Sequence, residues 1–68
     1  MIATFTVPTA GIVADRYTVE STPEGITIEH ELVDGNGGAL RSVATICIEP
    51  EAIGAVMRGL ERAAREFA

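Results

Sequence analysis

The sequence predicts an α+β fold in which a four-stranded antiparallel sheet is followed by one C-terminal amphipathic helix packed on one face of the sheet. Residues 26–32 and 40–48 alternate apolar and polar side chains with a period of two, which is typical of half-buried strands. Residues 50–67 instead repeat apolar side chains every three or four positions. The chain has 68 residues, which suffices for one small domain, and we assign residues 1–68 to a single domain.

The C-terminal segment is predicted to be helical over residues 50–67. Pro50 suits the first helical position, where its missing N–H would have no partner, and Glu51 lies at the end of the helix dipole that favours a carboxylate. The opposite arc of this helix carries arginine and glutamate side chains and is expected to face solvent. The apolar stripe comprises Ile53, Val56, Met57, Leu60, Ala63, Ala64 and Phe67.

The two alternating segments predict a hairpin, because the glycine-rich residues 34–38 lie between them. One register places His30 opposite Ser42 on the face that the helix covers. It also places Glu31 opposite Arg41 on the other face. A shift of two residues keeps each side chain on the same face and stays open.

The first part of the chain predicts two further strands. Residues 2–7 form one, and the other lies within residues 13–21; turns are expected at residues 8–11 and 21–25, where proline and glycine cluster. Short connections favour pairing between consecutive strands. The predicted order is therefore a β-β-β-β-α meander.

The charge of the chain limits its partners. The net charge is −5, and all of it lies before residue 50. An acidic protein is repelled by phosphate backbones and anionic lipids, so we expect neither direct nucleic-acid binding nor membrane binding. No apolar run approaches the length of about 20 residues that spans a bilayer. A lone cysteine and the lack of a signal-like leader predict a cytoplasmic location.

The residue types that usually carry chemistry do not combine into a catalytic site. Residues 34–38 begin like a calcium loop, but the later ligands of that pattern are missing, so no metal is expected. His30 is the only imidazole, and in the predicted register no titratable group faces it. Cys47 has no histidine nearby that would activate its thiol. We therefore expect a protein that is not an enzyme and that uses no cofactor.

One segment of the sequence resembles known small proteins. Residues 46–53, Ile-Cys-Ile-Glu-Pro-Glu-Ala-Ile, lead into an arginine–glutamate helix and look like the ending of many small proteins from bacterial mobile elements. As a short, acidic, motif-free α+β chain, the protein is also similar to phage-encoded inhibitors such as anti-CRISPR proteins, which often occupy basic nucleic-acid surfaces of their targets. This similarity implies a non-catalytic inhibitor that binds a basic protein surface.

Carboxylates on or near the sheet are the predicted contacts to such a protein target, because complementary charge speeds encounter and fixes orientation. One helix, about 10 Å across, cannot cover a sheet roughly 15–20 Å wide. The alternative is therefore a homodimerising structural or accessory protein that uses the exposed sheet or an edge strand as its interface. The predicted protein-binding residues are Glu20, Glu29, Glu31 and Asp34, supported by Asp15 and Glu24.

Overall fold

The computed structural model describes residues 1–8 and 12–67 and contains the predicted sequence of elements. All neighbouring strands are antiparallel and lie in chain order, so the β-β-β-β-α meander is confirmed. The turn predicted at residues 8–11 falls mostly outside the described residues. The strands are β1 (Ile2–Pro8), β2 (Ala14–Thr22), β3 (Gly25–Val33) and β4 (Ala39–Ile48).

The C-terminal helix has the predicted span, but its two ends are tighter than an α-helix. A 3₁₀ turn at Pro50–Ala52 leads into α1 (Ile53–Ala64), and a second 3₁₀ turn covers Arg65–Phe67. No side chain caps the first turn, which is closed by a 2.9 Å hydrogen bond from the Ala52 N–H to the Glu49 carbonyl. Within residues 1–8 and 12–67, no helix has the length and apolar character required to traverse a bilayer.

The register between β3 and β4 differs from the favoured one by two residues at His30. His30 lies opposite Ala44, and Glu31 lies opposite Ser42, so the predicted pairings of His30 with Ser42 and of Glu31 with Arg41 are wrong. The pairing is interrupted next to His30 and again before Val33, and these irregularities absorb the shift toward the loop. At His30 the displacement of two residues leaves the side chains on their original faces, so alternation could not distinguish the two registers there. Beyond the first irregularity the displacement is one residue, which places Ser42 and Arg41 on the faces opposite to those predicted.

The sheet has two chemically different faces, because directly opposed residues of antiparallel strands point the same way. One face is rich in threonine and charge. The other, which we call the apolar face, contains rows of opposed residues that run across all four strands. The apolar face comprises Ala3, Phe5, Val7, Asp15, Tyr17, Val19, Ile28, His30, Leu32, Arg41, Ala44 and Ile46.

The predicted packing of the helix on the sheet is not found. Each strand contacts its neighbours extensively, whereas the extensive contacts of α1 are with its own two 3₁₀ turns. The apolar stripe of the helix consequently stays open, with Leu60 57% and Phe67 90% exposed. The apolar face is open as well, and Phe5 and Ile46 are 52% and 53% exposed.

The connection from β4 to the helix is a single residue. Glu49 lies between Ile48 and Pro50, and it is extended, with φ −65° and ψ 150°. A residue that precedes proline is disfavoured in the α region, because the proline ring clashes with its backbone. The chain therefore passes from β4 into the first 3₁₀ turn through one extended residue.

Candidate protein-binding face

The charged side of the sheet is built from three rows of opposed residues that cross the strands. We call it the polar face. The middle row runs from Thr4 through Thr18 and Glu29 to Thr45. The row on one side of it places Glu20 opposite Thr27, and the row on the other side places Arg16 opposite Glu31. The polar face comprises Ile2, Thr4, Thr6, Arg16, Thr18, Glu20, Thr27, Glu29, Glu31, Ser42, Thr45 and Cys47.

The structure brings three of the predicted binding residues together on the polar face. Glu29 and Glu31 lie two positions apart on β3, about 7 Å along the strand. Glu20 lies on β2 and is the diagonal neighbour of Glu29, also within about 7–8 Å. Glu20 and Glu29 have no cationic partner among residues 1–8 and 12–67, so their charge is available to a binding partner.

Glu31, by contrast, is already paired. Arg16 lies directly opposite it, and both Nε and Nη2 of Arg16 donate to Glu31 Oε1, at 3.2 and 3.0 Å. The remaining Nη1 donates to the carbonyl of Gly37 at 3.1 Å, which ties the β3–β4 loop to β2. This contact replaces the predicted pairing of Glu31 with Arg41, and it leaves Glu31 as a weaker candidate for an intermolecular contact.

Arg16→Ala should lower the free energy of unfolding by about 1 kcal/mol, because hydrogen bonds to charged groups contribute about 1.5–3 kcal/mol and partial exposure reduces that value. Chemical denaturation at a fixed chain concentration measures the change. Arg41→Ala is the matched control, since Arg41 is exposed on an edge strand and has no ion pair among the described residues. An equal loss in both variants would contradict a structural role for the Arg16 bridge.

Two other predicted binding residues serve turns. Asp34 Oδ1 accepts hydrogen bonds from the backbone N–H groups of Asn36 and Gly38, both at 2.9 Å, so this carboxylate organises its own loop. Glu24 lies in the β2–β3 turn, where its N–H donates to Thr22 Oγ1 at 3.2 Å and its side chain is exposed. Neither residue belongs to a row of the polar face.

Asp15 lies on the opposite side of the sheet. His30 Nε2 is 2.7 Å from Asp15 Oδ1, which corrects the expectation that no titratable group faces His30. The imidazole also stacks on Tyr17, with ring centroids 4.4 Å apart, and Tyr17 stacks on Phe5 at 5.5 Å. This ladder joins three strands, and the β2–β3 pairing rather than the β3–β4 register creates it.

Both faces of the sheet carry groups that can bind a partner. The Asp15–His30 pair hydrogen-bonds to no serine, threonine or cysteine side chain among the described residues, and Cys47 is exposed on the other face. Over the described ranges, no group of three or more histidine, cysteine or acidic side chains is arranged to hold a metal ion. The polar face therefore offers carboxylates and threonine hydroxyls, which bind cations and hydrogen-bonding groups.

A wide depression lies beside the polar face. Its volume is about 430 Å³, it opens broadly to solvent, and Arg16, Val33 and Asp34 are among its lining residues. The guanidinium of Arg16 and the carboxylate of Asp34 already bind other groups of the chain, as described above.

Comparison with known proteins finds no family model, no curated protein and no solved structure that matches this chain.

Proposed function

We propose that this protein is a non-catalytic, cytoplasmic inhibitor of the anti-CRISPR type, whose polar face binds the basic surface of a nucleic-acid-handling protein. The observation that supports this most directly is the position of Glu20 and Glu29. Both carboxylates lie on an uncovered face and lack a cationic partner among the described residues. A partner that supplies lysine or arginine side chains would satisfy them.

The surroundings of these carboxylates also favour a protein partner. Glu29 lies between Thr18 and Thr45 in one row, and Glu20 lies beside Thr27 in the next. The short threonine side chains keep this face flat, and their hydroxyl groups can donate or accept hydrogen bonds at its edge. The net charge of −5 adds long-range attraction toward a basic surface and repulsion from nucleic acid itself.

The double variant Glu20→Gln, Glu29→Gln tests the proposal. The tagged chain is used to capture partners from lysate, and bound proteins are identified by mass spectrometry. We expect the variant to lose one basic nucleic-acid-handling protein that the parent chain retains, with binding weakened at least about tenfold. Close charge pairs across an interface couple by about 1.5 kcal/mol or more, and 1.4 kcal/mol corresponds to tenfold.

The matched control removes the same charge elsewhere. Glu51→Gln, Glu66→Gln changes two exposed carboxylates in the 3₁₀ turns that flank α1 and leaves the polar face intact. This control should retain the captured protein with unchanged affinity. Equal binding by both double variants, with the same dependence on salt, would refute the assignment of the polar face.

A second candidate function is a homodimerising structural or accessory protein. The observation that favours it is the open apolar face, whose Phe5 and Ile46 are more than half exposed. Large exposed apolar patches mark interaction surfaces. Sedimentation equilibrium at tens of micromolar chain tests this candidate, and a mass equal to the 7.1 kDa of one chain would exclude it.

A further inference from the structure

The surface of the isolated chain is too large for a folded protein of this size. The accessible area is 5256 Å², whereas a compact monomer of 7.1 kDa is expected to expose about 4,100 Å². The excess, roughly 1,200 Å², exceeds the approximately 800 Å² that each partner buries in a standard stable interface. The radius of gyration, 13.7 Å, likewise exceeds the value of about 11 Å expected for 68 residues.

The excess area comes from two apolar surfaces that have not met. The sheet has an open apolar face, and α1 has an open apolar stripe that includes Met57, Leu60 and Phe67. Among the described residues only Val33 is a buried hydrophobic side chain. A helix packed on a sheet face is one of the standard two-layer arrangements that create a core. The chain thus carries both layers of a core without assembling them.

The connection between the layers is short. Glu49 alone separates β4 from Pro50, its backbone is extended, and within the described residues α1 makes no extensive contact with any strand. Short hinges of this kind favour exchange of an element between copies, because a second copy supplies the same contact without reversal of the chain. The exchange closes under two-fold symmetry, since each copy offers one helix and accepts one.

We propose that two copies of this chain form a homodimer by reciprocal exchange, in which α1 of each copy packs its apolar stripe on the apolar face of the other. This proposal rests on the homodimer named above as the second candidate function and specifies its interface. Leu60 of one copy and Ile46 of the other are representative of the two contacting surfaces. The polar face stays open in such a dimer, so inhibitor binding is compatible with it.

A mixing experiment with two full-length variants tests the exchange. Leu60→Glu places a carboxylate in the stripe of the helix, and Ile46→Glu places one on the apolar face. Each variant alone should dimerise at least about a hundredfold more weakly than the parent chain, because a carboxylate would be buried without a partner in both contacts. An equimolar mixture should regain a species of twice the 7.1 kDa chain mass. In that species the intact helix of one variant packs on the intact apolar face of the other, and the second contact, which would hold both carboxylates, stays open. The mixture should therefore dimerise more tightly than either variant alone and more weakly than the parent chain.

Matched controls place the same charge on surfaces that the exchange leaves open. Ala55→Glu lies on the opposite arc of α1, and Cys47→Glu lies on the polar face beside Ile46 and opposite Thr27. Both controls should dimerise like the parent chain. Light scattering reads the mass directly, so the mixture is informative even where a single variant does not fold by itself.

The outcomes distinguish whether a homodimer exists from whether it uses the proposed interface. A parent chain that stays monomeric would overturn both. A parent dimer that survives both Leu60→Glu and Ile46→Glu would leave the homodimer standing, for example through an edge strand, and would overturn the exchange. A mixture that stays monomeric would also overturn the exchange, because contact between two helices or two sheets is not restored by mixing.

Isotope-filtered NMR gives an independent readout on the parent chain. In a sample made from labelled and unlabelled copies, we expect nuclear Overhauser effects between the Leu60 methyl groups of one copy and the Ile46 methyl groups of the other. The same effects found only within one copy would show that the helix packs on its own sheet and would contradict the proposal.

Discussion

Gly25→Ala should lower the free energy of unfolding by about 3 kcal/mol or more, which is comparable with the whole stability of a domain this small. Gly25 begins β3 with φ +132°, a conformation that side-chain-bearing residues rarely adopt. A Cβ at this position would clash with the carbonyl oxygen of Ile48, at the end of β4. Backbone on both strands would have to move, so circular dichroism under native conditions should show a largely unfolded variant.

Two other glycines provide a graded comparison. Gly37 has φ +82° but open space around it, so Gly37→Ala should cost only about 1 kcal/mol from backbone strain. Gly59 is helical and also meets nothing, and Gly59→Ala should stabilise the chain by up to about 1 kcal/mol. All three variants are compared by denaturation at one chain concentration, since the stability of the proposed dimer would depend on concentration. A Gly25→Ala variant as stable as Gly59→Ala would contradict the close approach of β3 and β4.

Val33→Asp should have the second large effect, also about 3 kcal/mol or more. Val33 is 2% exposed at the end of β3, where Ile12, Ala14 and Arg16 line the same depression. A carboxylate there would lose its hydration, and the guanidinium of Arg16 is already bound to Glu31 and the Gly37 carbonyl. Thermal or chemical denaturation measures the loss.

Val33→Ala separates the loss of packing from the burial of charge. Removing two methyl groups at about 0.8 kcal/mol each, plus the cavity they leave, should cost about 2 kcal/mol. Val43→Ala is the matched control, because Val43 is 45% exposed on β4 and its truncation should change stability by less than about 0.5 kcal/mol. Comparable effects at the two valines would show that Val33 is not a packing centre.

The pairing of consecutive strands was predictable because it depends on the residue types that end each strand. Residues 8–11 and 21–25 carry the proline and glycine that end strands, and the meander follows from short connections. The helix was predictable over residues 50–67 for the same reason, since period and proline are both local signals. The exact register of β4 against β3 at His30 was not predictable, because a shift of two residues leaves the side chains there on the same face of the sheet.

Part of the candidate site could likewise be predicted from the sequence, and part of it could not. That Glu29 and Glu31 share a face follows from alternation within one strand. That Glu20 joins them while Asp15 points to the other face depends on the β2–β3 pairing. The pairing also gives Glu31 its Arg16 partner and His30 its Asp15 partner, contacts that join residues 15 positions apart in the chain. Alternation within β2 was the available signal, since it separates Asp15 from Glu20.

The sequence by itself determined the elements of this protein, their order and the chemical character of each face, because these depend on side-chain periodicity and on proline and glycine at the ends of elements. Only the tertiary structure decided which residues meet across strands and whether the two apolar surfaces meet at all. The physical reason is that periodicity describes each element by itself, whereas contact between elements depends on how the chain connects them, here through the single extended residue Glu49. The spacing of apolar side chains indicates that the helix needs an apolar partner, but the geometry of the connection decides where that partner lies.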